Sequence, residues 1–399
     1  MVPNGWEVKK LEDLCAPDAP ITYGVLKPGE YCSNGIPLLQ IKDLSNGHVS
    51  SQDLHLISKE LDEEYKRSRI LKNDILISLV GTIGRVAKFE LSSPANIHRN
   101  LGRVRTDYHE FIFHFLNSDV ALKLMGDSSS GSSQSALNLS TLRAMKVPFP
   151  PFKEQQKIAQ ILSTWDQAIS ATEKLLENSQ QQKKTLMQQL LTGKRRLLDE
   201  NGVRFSGVWK HIKLRSLIKE IKRDKEENPN NIELLTVKLH NKGAVASGKF
   251  PNSTEGGRPY YKRFAGELII GRQNLHNGGV AIVPSECNGL IASNAISSFE
   301  ALNDCDINFI LSIMSTSHFR YLIDNLTGGT GQKEVSVREL LNVFVLIPSV
   351  EEQQKIAKVL TIADQEIETL QKKLDCLKQE KKALMQQLLT GKKRVKVAA

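Results

Sequence analysis

The sequence has few cysteines, and their spacing does not tie them together. The five cysteines among 399 residues are scattered, odd in number and never arranged as C-x-x-C. This excludes a disulfide scaffold and argues against a zinc site. No apolar run approaches the roughly 20 residues of a membrane-spanning helix, and the first residues lack the basic and apolar regions of a signal peptide. We therefore expect a reduced, cytoplasmic protein that does not bind a membrane.

Sequence motifs for nucleotide binding and methyl transfer are also missing. The segment Gly328–Lys333 does not complete the phosphate-binding pattern G-x4-G-K-[ST], and Gly81-x-x-Gly84 alone is too little for a dinucleotide-binding loop. Phe149–Phe152 has the two prolines and the aromatic residue of an amino-methyltransferase loop, but not its polar first residue. We interpret this segment as the end of a strand and the entry to a helix.

Metal-dependent chemistry has no better support. Asp62, Glu64 and Lys66 superficially suggest a nuclease metal site, but they lie in a charged run that we expect to be the solvated face of a helix. The nine histidines form no metal-ligand cluster. The sequence therefore predicts a non-catalytic binding protein with no metal or cofactor of its own.

The chain is an internal repeat. Glu154–Ala159 and Glu352–Ala357 are both E-Q-Q-K-I-A, and Met187–Lys194 and Met385–Lys392 are both M-Q-Q-L-L-T-G-K. Both pairs are 198 residues apart, so no insertion separates them. A W-x4-L-x2-L pattern also begins each half. Each half is thus a variable part followed by a well-matched part.

The matched parts predict two long helices. Their apolar residues follow a 4-3-4-3 spacing, which is the heptad pattern of a coiled-coil seam. Lys183 and Lys381 occupy seam positions in both copies; they either fix the register of the helices or extend to solvent from an ordinary apolar stripe. About 37 residues would form a rod of roughly 55 Å. The predicted seam, which is also the candidate partner surface, consists of Ile158, Leu162, Trp165, Ile169, Leu176, Lys183, Leu186, Leu190, Ile356, Leu360, Ile367, Leu374, Lys381, Leu384 and Leu388.

Residues at both ends of these helices have the expected chemistry. Pro150, Pro151 and Pro348 lie just before the helices, where a missing N–H does no harm. Gly193 and Gly391 follow the helices as C-cap residues. The basic residues that come next are expected to complement the negative helix ends; they are Lys194, Arg195 and Arg196 in the first copy and Lys392, Lys393 and Arg394 in the second.

The variable parts alternate strand and helix signals. Short apolar runs bounded by glycine predict strands at residues 36–42, 74–80, 85–89, 266–271 and 278–283. Helical stretches are predicted near residues 110–125 and 306–325. Two Gly/Ser/Thr-rich stretches, 128–133 and 327–331, are either flexible linkers or functional loops. The matched Gln134 and Gln332 favour loops with a function.

The net charge of +10 is unevenly distributed. Residues 1–150 contain 17 basic and 17 acidic side chains, whereas residues 201–347 contain 18 basic and 14 acidic ones. The helical parts carry the rest of the surplus. A basic surplus favours a polyanionic partner, and a neutral first domain would have to gather its basic groups on one face.

If the polyanion is a nucleic acid, its candidate contacts are side chains that hydrogen-bond to base edges or phosphates. Arg, Asn, Gln and Lys contact bases, and Ser, Thr and Lys contact phosphates. Lys66–Arg69, Arg103 and Arg105 add basic groups near the candidates of the first domain. For any one of these residues, an ordinary solvated side chain is the alternative. The predicted set is Arg69, Ser78, Thr82, Arg85, His98, Arg99, Asn100, Gln134, Arg258, Lys262, Arg263, Arg272, Gln273, Asn274, Gln332 and Lys333.

This organisation resembles the DNA-specificity (S) subunit of Type I restriction–modification systems. The resemblance covers nearly the whole chain and is strongest in P-x3-E-Q-Q-K-I-A, which begins at Pro150 and Pro348, and in the two L-L-T-G-K exits. Asn73–Gly84 also resembles the family's domain pattern. In the second half Gly266–Ile270 fits, but Gly271–Asn274 replaces the G-T-I-G turn.

The resemblance implies an α+β fold with a pseudo-twofold repeat. Two mixed α/β target recognition domains, 1–149 and 201–347, would be separated and joined by two long antiparallel coiled-coil helices in the conserved regions 150–200 and 348–399. Each domain would bind one half of a bipartite, asymmetric double-stranded DNA site in the major groove. The helices would set the gap.

The resemblance also implies partner proteins. Two methyltransferase (M) subunits would bind S-adenosylmethionine and methylate adenine at N6, and ATP- and Mg-dependent restriction (R) subunits would complete the complex. This chain would supply specificity without catalysis. The alternative from another class is a coiled-coil scaffold that binds proteins and not DNA.

Overall fold

The computed structural model describes residues 2–127, 136–252, 256–302, 305–326 and 334–397. The chain divides into two compact units. Unit 1 comprises Met1–Glu173 and Lys372–Ala399, and unit 2 comprises Lys174–Gln371. Each unit contains one variable part of the sequence together with segments of both long helices. Within the described residues, no helix has the length and hydropathy that a membrane span requires.

Unit 1 contains a six-stranded sheet in the order β2-β10-β7-β8-β5-β4, a three-stranded sheet β6-β3-β9 and the pair β1-β11. The strands are β1 Glu7–Lys10, β2 Thr22–Tyr23, β3 Ile36–Leu39, β4 Leu44–Ser45, β5 His48–Val49, β6 His55–Ile57, β7 Ile75–Ser78, β8 Val86–Lys88, β9 Asn96–Ile97, β10 Leu101–Val104 and β11 Lys146–Phe149. The helices are α1 Lys59–Glu64, α2 His109–Leu116, α3 Asp119–Asp127, α4 Leu139–Ala144 and α5 Phe152–Leu190, which continues into unit 2.

Strand β7 is the centre of unit 1. All four of its residues are buried, and alternate side chains face opposite sides of a sheet. Ile75 and Ile77 pack with Phe111 of α2 in one apolar cluster, whereas Leu76 packs with Phe89 in another. Burial on both sides explains why this strand is a continuous apolar run in the sequence.

The strand predicted at residues 36–42 is shorter than expected. It ends at Leu39, and Ile41–Asp43 forms a 3-10 helix instead. The Asp43 carboxylate accepts a hydrogen bond from the Gln40 backbone N–H at 2.7 Å, which completes a capping box and ends the strand.

Unit 2 contains a four-stranded sheet in the order β13-β20-β17-β18 and the pairs β12-β21, β14-β15 and β16-β19. Its strands are β12 Lys210–Lys213, β13 Ile218–Glu220, β14 Leu235–Val237, β15 Ala244–Ala246, β16 Tyr260–Lys262, β17 Leu268–Gly271, β18 Val280–Ile282, β19 Ile291–Ser293, β20 Ile296–Ala301 and β21 Phe344–Ile347. Its helices are α6 Ile307–Met314, α7 Ser317–Leu326, α8 Val337–Leu341 and α9 Val350–Leu388, which continues into unit 1.

Strand β17 occupies the same place in unit 2 as β7 in unit 1. Leu268 and Ile270 pack in one apolar cluster, and Ile269 packs in another. The two variable parts therefore share a central buried strand between two cores, although their sequences differ.

The helices α5 and α9 are each 39 residues long, close to the predicted length. Every predicted seam position is buried or half-buried. In unit 1, Lys381 pairs with Asp166 at 2.5 Å and Lys378 pairs with Glu173 at 2.8 Å. Partner numbers fall on one helix as they rise on the other, so the segments run antiparallel.

Unit 2 repeats this arrangement. The Lys183 ammonium donates to the Asp364 carboxylate, and Ser179 Oγ donates to Glu366 Oε1 at 3.2 Å. Asp364 and Asp166 are equivalent positions of the repeat. Both seam lysines thus form ion pairs with the facing helix segment.

The ends of the helices differ from expectation in one respect. Gly193 and Gly391 have φ of 70° and 74°, as a left-handed C-cap requires. Arg196 and Arg394, however, do not serve the helix ends, because their guanidinium groups form ion pairs with Glu352 and Glu154. The prediction of dipole complementation was wrong for these two residues.

Candidate nucleic-acid interface

In unit 1 the turn between β7 and β8 brings predicted contact residues to one end of the sheet. Gly81 and Gly84 have φ of 75° and 79°, a region that glycine adopts without strain. The Arg85 backbone N–H donates to Ser78 Oγ at 2.8 Å, which holds the exit of the turn against the end of β7. Thr82 and Arg85 are exposed on this turn.

The segment His98–Asn100 reaches the same end from the neighbouring strand. Strand β10 runs antiparallel to β7 with Leu101 opposite Ser78, and the Leu79 backbone N–H donates to the Asn100 carbonyl at 2.8 Å. Arg99 is exposed and His98 is half-buried. Burial, and then the neighbouring Arg99 charge, lower the pKa of His98, so its imidazole stays neutral near pH 7.

The exposed side chains at this end have no partners among the residues that the structure describes. Thr82, Arg85 and Arg99 have side chains that form no hydrogen bond or ion pair with any described residue. We call these three residues, with His98 and Asn100, the unit 1 sheet-end set. Within this set, His98 Nδ1 accepts a hydrogen bond from the Asn100 backbone N–H at 3.3 Å.

Two predicted contacts in unit 1 need correction. Ser78 is fully buried, and its hydroxyl donates to the Thr82 carbonyl at 2.5 Å. Arg69 donates to Asp62 at 2.7 Å and to Glu63 at 2.5 Å. Ser78 therefore shapes the turn and cannot touch DNA, and the Arg69 guanidinium is bound to two carboxylates within the domain.

The nearby basic candidates are also engaged. Arg103 is buried and donates to the carbonyls of Arg67, Arg69 and Pro20. Arg105 holds Asp74 through two hydrogen bonds of 2.8 and 2.7 Å. These two arginines support the fold of unit 1.

The acidic run at Asp62 is not a solvated face as a whole. Asp62 is buried and accepts hydrogen bonds from Arg69 and from Asn96 Nδ2, the latter at 2.9 Å. Glu64 is exposed on α1, as predicted. The described part of the chain contains no group of three or more His, Cys, Asp or Glu side chains placed to hold a metal.

In unit 2 the turn after β17 has the corresponding position. Gln273 and Asn274 are exposed there, and their side chains have no hydrogen-bond partner among the described residues. The Asn274 carbonyl accepts hydrogen bonds from the backbone N–H groups of Asn277 and Gly279 at 3.0 and 2.9 Å, which fix the turn. An added Cβ at Gly279 would lie 2.9 Å from the Asn274 carbonyl oxygen, so the turn requires glycine there.

A groove of about 210 Å³ opens at this end of the unit 2 sheet. Its lining includes the predicted residues Arg258, Gln273 and Asn274. Ser293 and Ala295, which flank Asn294 before β20, also line it. Its polar lining side chains, Arg258, Gln273, Asn274 and Ser293, make it suited to a hydrogen-bonding ligand.

Three predicted basic contacts of unit 2 have partners within the protein. Arg263 is buried and donates to Ser298 Oγ at 3.0 Å and to the Ile296 carbonyl at 2.5 Å, so its prediction as a DNA contact was wrong. Arg272 donates to the Asn294 carbonyl at 2.9 Å and pairs with Glu334 at 3.0 Å. Lys262 pairs with Glu226 at 3.0 Å.

Three predicted contact residues lie outside the described part of the chain, and one residue at the unit 2 sheet end was not predicted. Gln134, Gln332 and Lys333 lie outside the described residues. Asn294 was not predicted, yet its side-chain oxygen accepts from Arg258 Nε at 3.3 Å and its carbonyl accepts from Arg272. The only signal in the sequence is a polar Asn between two strand runs, which many loops share.

Comparison with known proteins gives a consistent result. A family model described as the Type I restriction modification DNA specificity domain matches the chain twice, over residues 3–179 and 208–379. These matches follow the internal repeat, one for each half.

Several curated relatives have the same description. The chain is 26% identical to the putative type I restriction enzyme MjaX specificity subunit of Methanocaldococcus jannaschii, over 99% of this chain and 95% of that protein. It is 24% identical to the MjaVIII specificity subunit of the same organism, over 99% and 94%. The match to the EcoBI specificity subunit of Escherichia coli is 32% identical but spans 48% of this chain and only 41% of that relative.

Solved structures share the fold. The S subunit of a Type I restriction-modification system from M. genitalium superposes with a TM-score of 0.61 at 15% identity, over 98% of each chain. A chain from a structure of type I R-M complex assembly and conformational transition gives a TM-score of 0.53 at 16% identity, over 98% of this chain and 99% of that one. At these identities the likeness concerns the fold alone.

Proposed function

The chain belongs to the Type I restriction modification DNA specificity family, and from this membership we propose that it is the sequence-reading subunit of a Type I restriction–modification complex. In this role it directs where partner subunits act and performs no catalysis itself. The alternative of a coiled-coil scaffold without DNA has no support from any of the matched families or relatives.

Each unit binds one half of a bipartite double-stranded DNA site through the exposed residues at the end of its sheet. The observation that supports this proposal is the same in both units: exposed polar side chains at the end of the central strand have no partners among the described residues. In unit 1 these include Thr82, Arg85 and Arg99, and in unit 2 they are Gln273 and Asn274. A two-stranded ribbon with its turn fits the width of the major groove, about 12 Å, where base edges are distinguishable.

The helices α5 and α9 set the gap between the half-sites. A 39-residue helix is about 58 Å long. Two domains that bind the same face of a DNA duplex are separated by a whole number of helical turns, each roughly 34–36 Å long. The seam and its lysine–aspartate pairs hold the helix segments of each unit in one register.

The chemistry resides in the partners. Two methyltransferase subunits dock on this chain, bind S-adenosylmethionine and methylate adenine at N6, and restriction subunits that use ATP and Mg²⁺ complete the assembly in the cytoplasm. This division of labour agrees with the sequence, which has no motif for nucleotide binding or methyl transfer.

Salt dependence separates a DNA-binding subunit from a protein scaffold. Specific binding to DNA weakens steeply between about 50 and 200 mM salt because bound phosphates release counterions. A scaffold's affinity for a protein partner would change little over that range. The measurement is fluorescence anisotropy of labelled duplex DNA titrated with the chain bound to its methyltransferase partners.

Sequencing the methylated product tests the proposal directly. The complex of this chain with its methyltransferase partners is incubated with genomic DNA and S-adenosylmethionine, and methylated adenines are mapped by single-molecule sequencing. We expect one asymmetric motif with two defined parts and a non-specific gap. Methylation at a continuous motif, or at no defined motif, would overturn the proposal.

A further inference from the structure

The two sheet ends offer different hydrogen-bonding chemistry. In unit 1 the exposed groups without described partners include two guanidinium groups, those of Arg85 and Arg99. At the turn of unit 2 they are two carboxamides, those of Gln273 and Asn274. Both sets occupy the end of the sheet that follows the central buried strand, so this difference lies in the side chains and not in the architecture.

The guanidinium groups of unit 2 are held by its own residues. Arg272 donates to the Asn294 carbonyl and pairs with Glu334. Arg258 donates through Nε to Asn294 Oδ1 at 3.3 Å. Asn294 thus contacts both arginines, whereas the carboxamides at the turn have no partners among the described residues.

Hydrogen bonds hold the backbone of Arg85 and of Asn274 in place. Arg85 exchanges hydrogen bonds with Ser78 through its backbone N–H at 2.8 Å and its carbonyl at 2.9 Å. The Asn274 carbonyl accepts two backbone hydrogen bonds within its turn. A fixed backbone limits the positions that the side chains can reach. Direct recognition of bases requires such a limit.

Guanidinium and carboxamide groups recognise different bases. Arginine donates two hydrogen bonds to guanine O6 and N7, whereas asparagine and glutamine pair with adenine N6 and N7. We propose that unit 1 reads a guanine through Arg85 and that unit 2 reads an adenine through the carboxamides of Gln273 and Asn274, with Asn294 as a positioning residue for Arg258 and Arg272. This inference rests on the proposed function and adds the base class read in each half-site.

The test is a comparison of methylated motifs among variants of the full chain in complex with its methyltransferase partners. Arg85→Gln is expected to reduce discrimination about ten- to hundred-fold at one guanine position in one half-site. Gln273→Ala and Asn274→Ala are expected to relax an adenine position in the other half-site. Gln273→Arg is expected to shift that position towards guanine.

The control variants remove a positive charge and a carboxamide elsewhere. Lys72→Gln removes an exposed charge that precedes β7, at the opposite end of the strand, and Asn308→Ala removes an exposed carboxamide from α6. Both should leave the motif unchanged. Asn294→Ala is expected to lower affinity for DNA without relaxing the adenine position, because the carboxamides at the turn remain.

The outcomes separate this inference from the proposed function. A defined bipartite motif for the wild-type complex, with Arg85→Gln weakening all sequences equally, would show that Arg85 contacts phosphate and would overturn the inference alone. Relaxation at a base other than guanine in Arg85→Gln, or other than adenine in both carboxamide variants, would overturn it as well. Absence of any bipartite motif in the wild type would overturn the proposed function.

Discussion

Arg196 donates two hydrogen bonds to Glu352, at 2.6 and 2.7 Å, and so binds the segment after the first long helix to the first turn of the second. Glu352 is only 1% exposed. The equivalent residues of the repeat, Arg394 and Glu154, pair in the same way in unit 1, where Trp6 Nε1 also donates to Glu154 at 3.1 Å. The glutamate of E-Q-Q-K-I-A is therefore a buried anchor in both units.

Replacing Arg196 should destabilise the folded chain. We expect Arg196→Met to lower the free energy of unfolding by about 3 kcal/mol, since a buried carboxylate loses its partner. Arg394→Met should cost less, because the Arg394 side chain is 44% exposed and that of Arg196 is 19% exposed. Urea denaturation followed by circular dichroism measures both, with the exposed neighbour Arg195→Met as the control. Equal losses of unfolding free energy in Arg195→Met and Arg196→Met would contradict the role of the Arg196–Glu352 pair as an anchor.

His114 should make the stability of unit 1 depend on pH. It is 1% exposed, its Nε2 lies 3.0 Å from Ser163 Oγ, and its Nδ1 lies 3.7 Å from Asp166 Oδ2. Burial lowers the pKa of His114 from 6.5 to about 4. The folded state therefore keeps a neutral imidazole while the unfolded state binds a proton below about pH 6.5.

The stability linked to His114 is complete above pH 6.5 and is lost as the pH falls towards 4, by roughly 3 kcal/mol at most. His114→Asn should flatten this dependence in urea titrations at pH 7.5, 6 and 5. Lys381→Met is a second control: the Lys381 charge lowers the pKa of His114 and Asp166 raises it, so the imidazole pKa measured by NMR should rise. A wild-type stability that is constant from pH 7.5 to 5 would contradict this prediction.

Periodicity in the sequence predicted the elements that depend on local spacing. The long helices and the strands β7, β8, β17 and β18 follow from apolar repeats, because burial on a regular element imposes the spacing directly. Strand β3 ends early because the Asp43 capping box competes with strand pairing, and a single acidic residue gives little warning of that.

The sequence did not predict which arginine side chains have partners within the protein. The residues that flank Arg69, Arg85 and Arg263 in the sequence do not indicate which of the three guanidinium groups has internal partners. Whether a guanidinium is free depends on partners brought close by the fold: Arg263 is held by Ser298, 35 residues further along the chain. Sequence spacing therefore located the sheet ends but did not separate contact residues from supporting ones.

This difference predicts opposite effects for two arginines of unit 1. Arg85→Ala should weaken DNA binding and relax one half-site only, since its side chain has no partner among the described residues. Arg69→Ala should leave the methylated motif unchanged and instead lower stability, because Asp62 loses a hydrogen-bond donor. Anisotropy with duplexes altered in one half-site, together with urea denaturation, measures both effects. Loss at both half-sites for Arg85→Ala would mean that it acts through folding.

The helices offer a way to change the gap without changing either half-site. One heptad inserted in α5 between Glu173 and Lys174, and another in α9 between Gln371 and Lys372, preserves the 4-3 seam. Seven residues add about 10.5 Å of helix, which corresponds to about three base pairs at roughly 3.4 Å each.

If the helices set the gap, the methylated motif of the doubly inserted chain should keep both half-sites and lengthen only between them. A heptad in α5 alone is the matched control: it shifts Lys183 relative to Asp364 while leaving the pair of Lys381 and Asp166 in place, so we expect loss of stability and of methylation, with no longer motif. Insertion into both helices that left the gap unchanged would show that the spacing is set elsewhere. Because the two half-sites serve as internal standards in one sequencing experiment, a change in the gap cannot be confused with a change in base recognition.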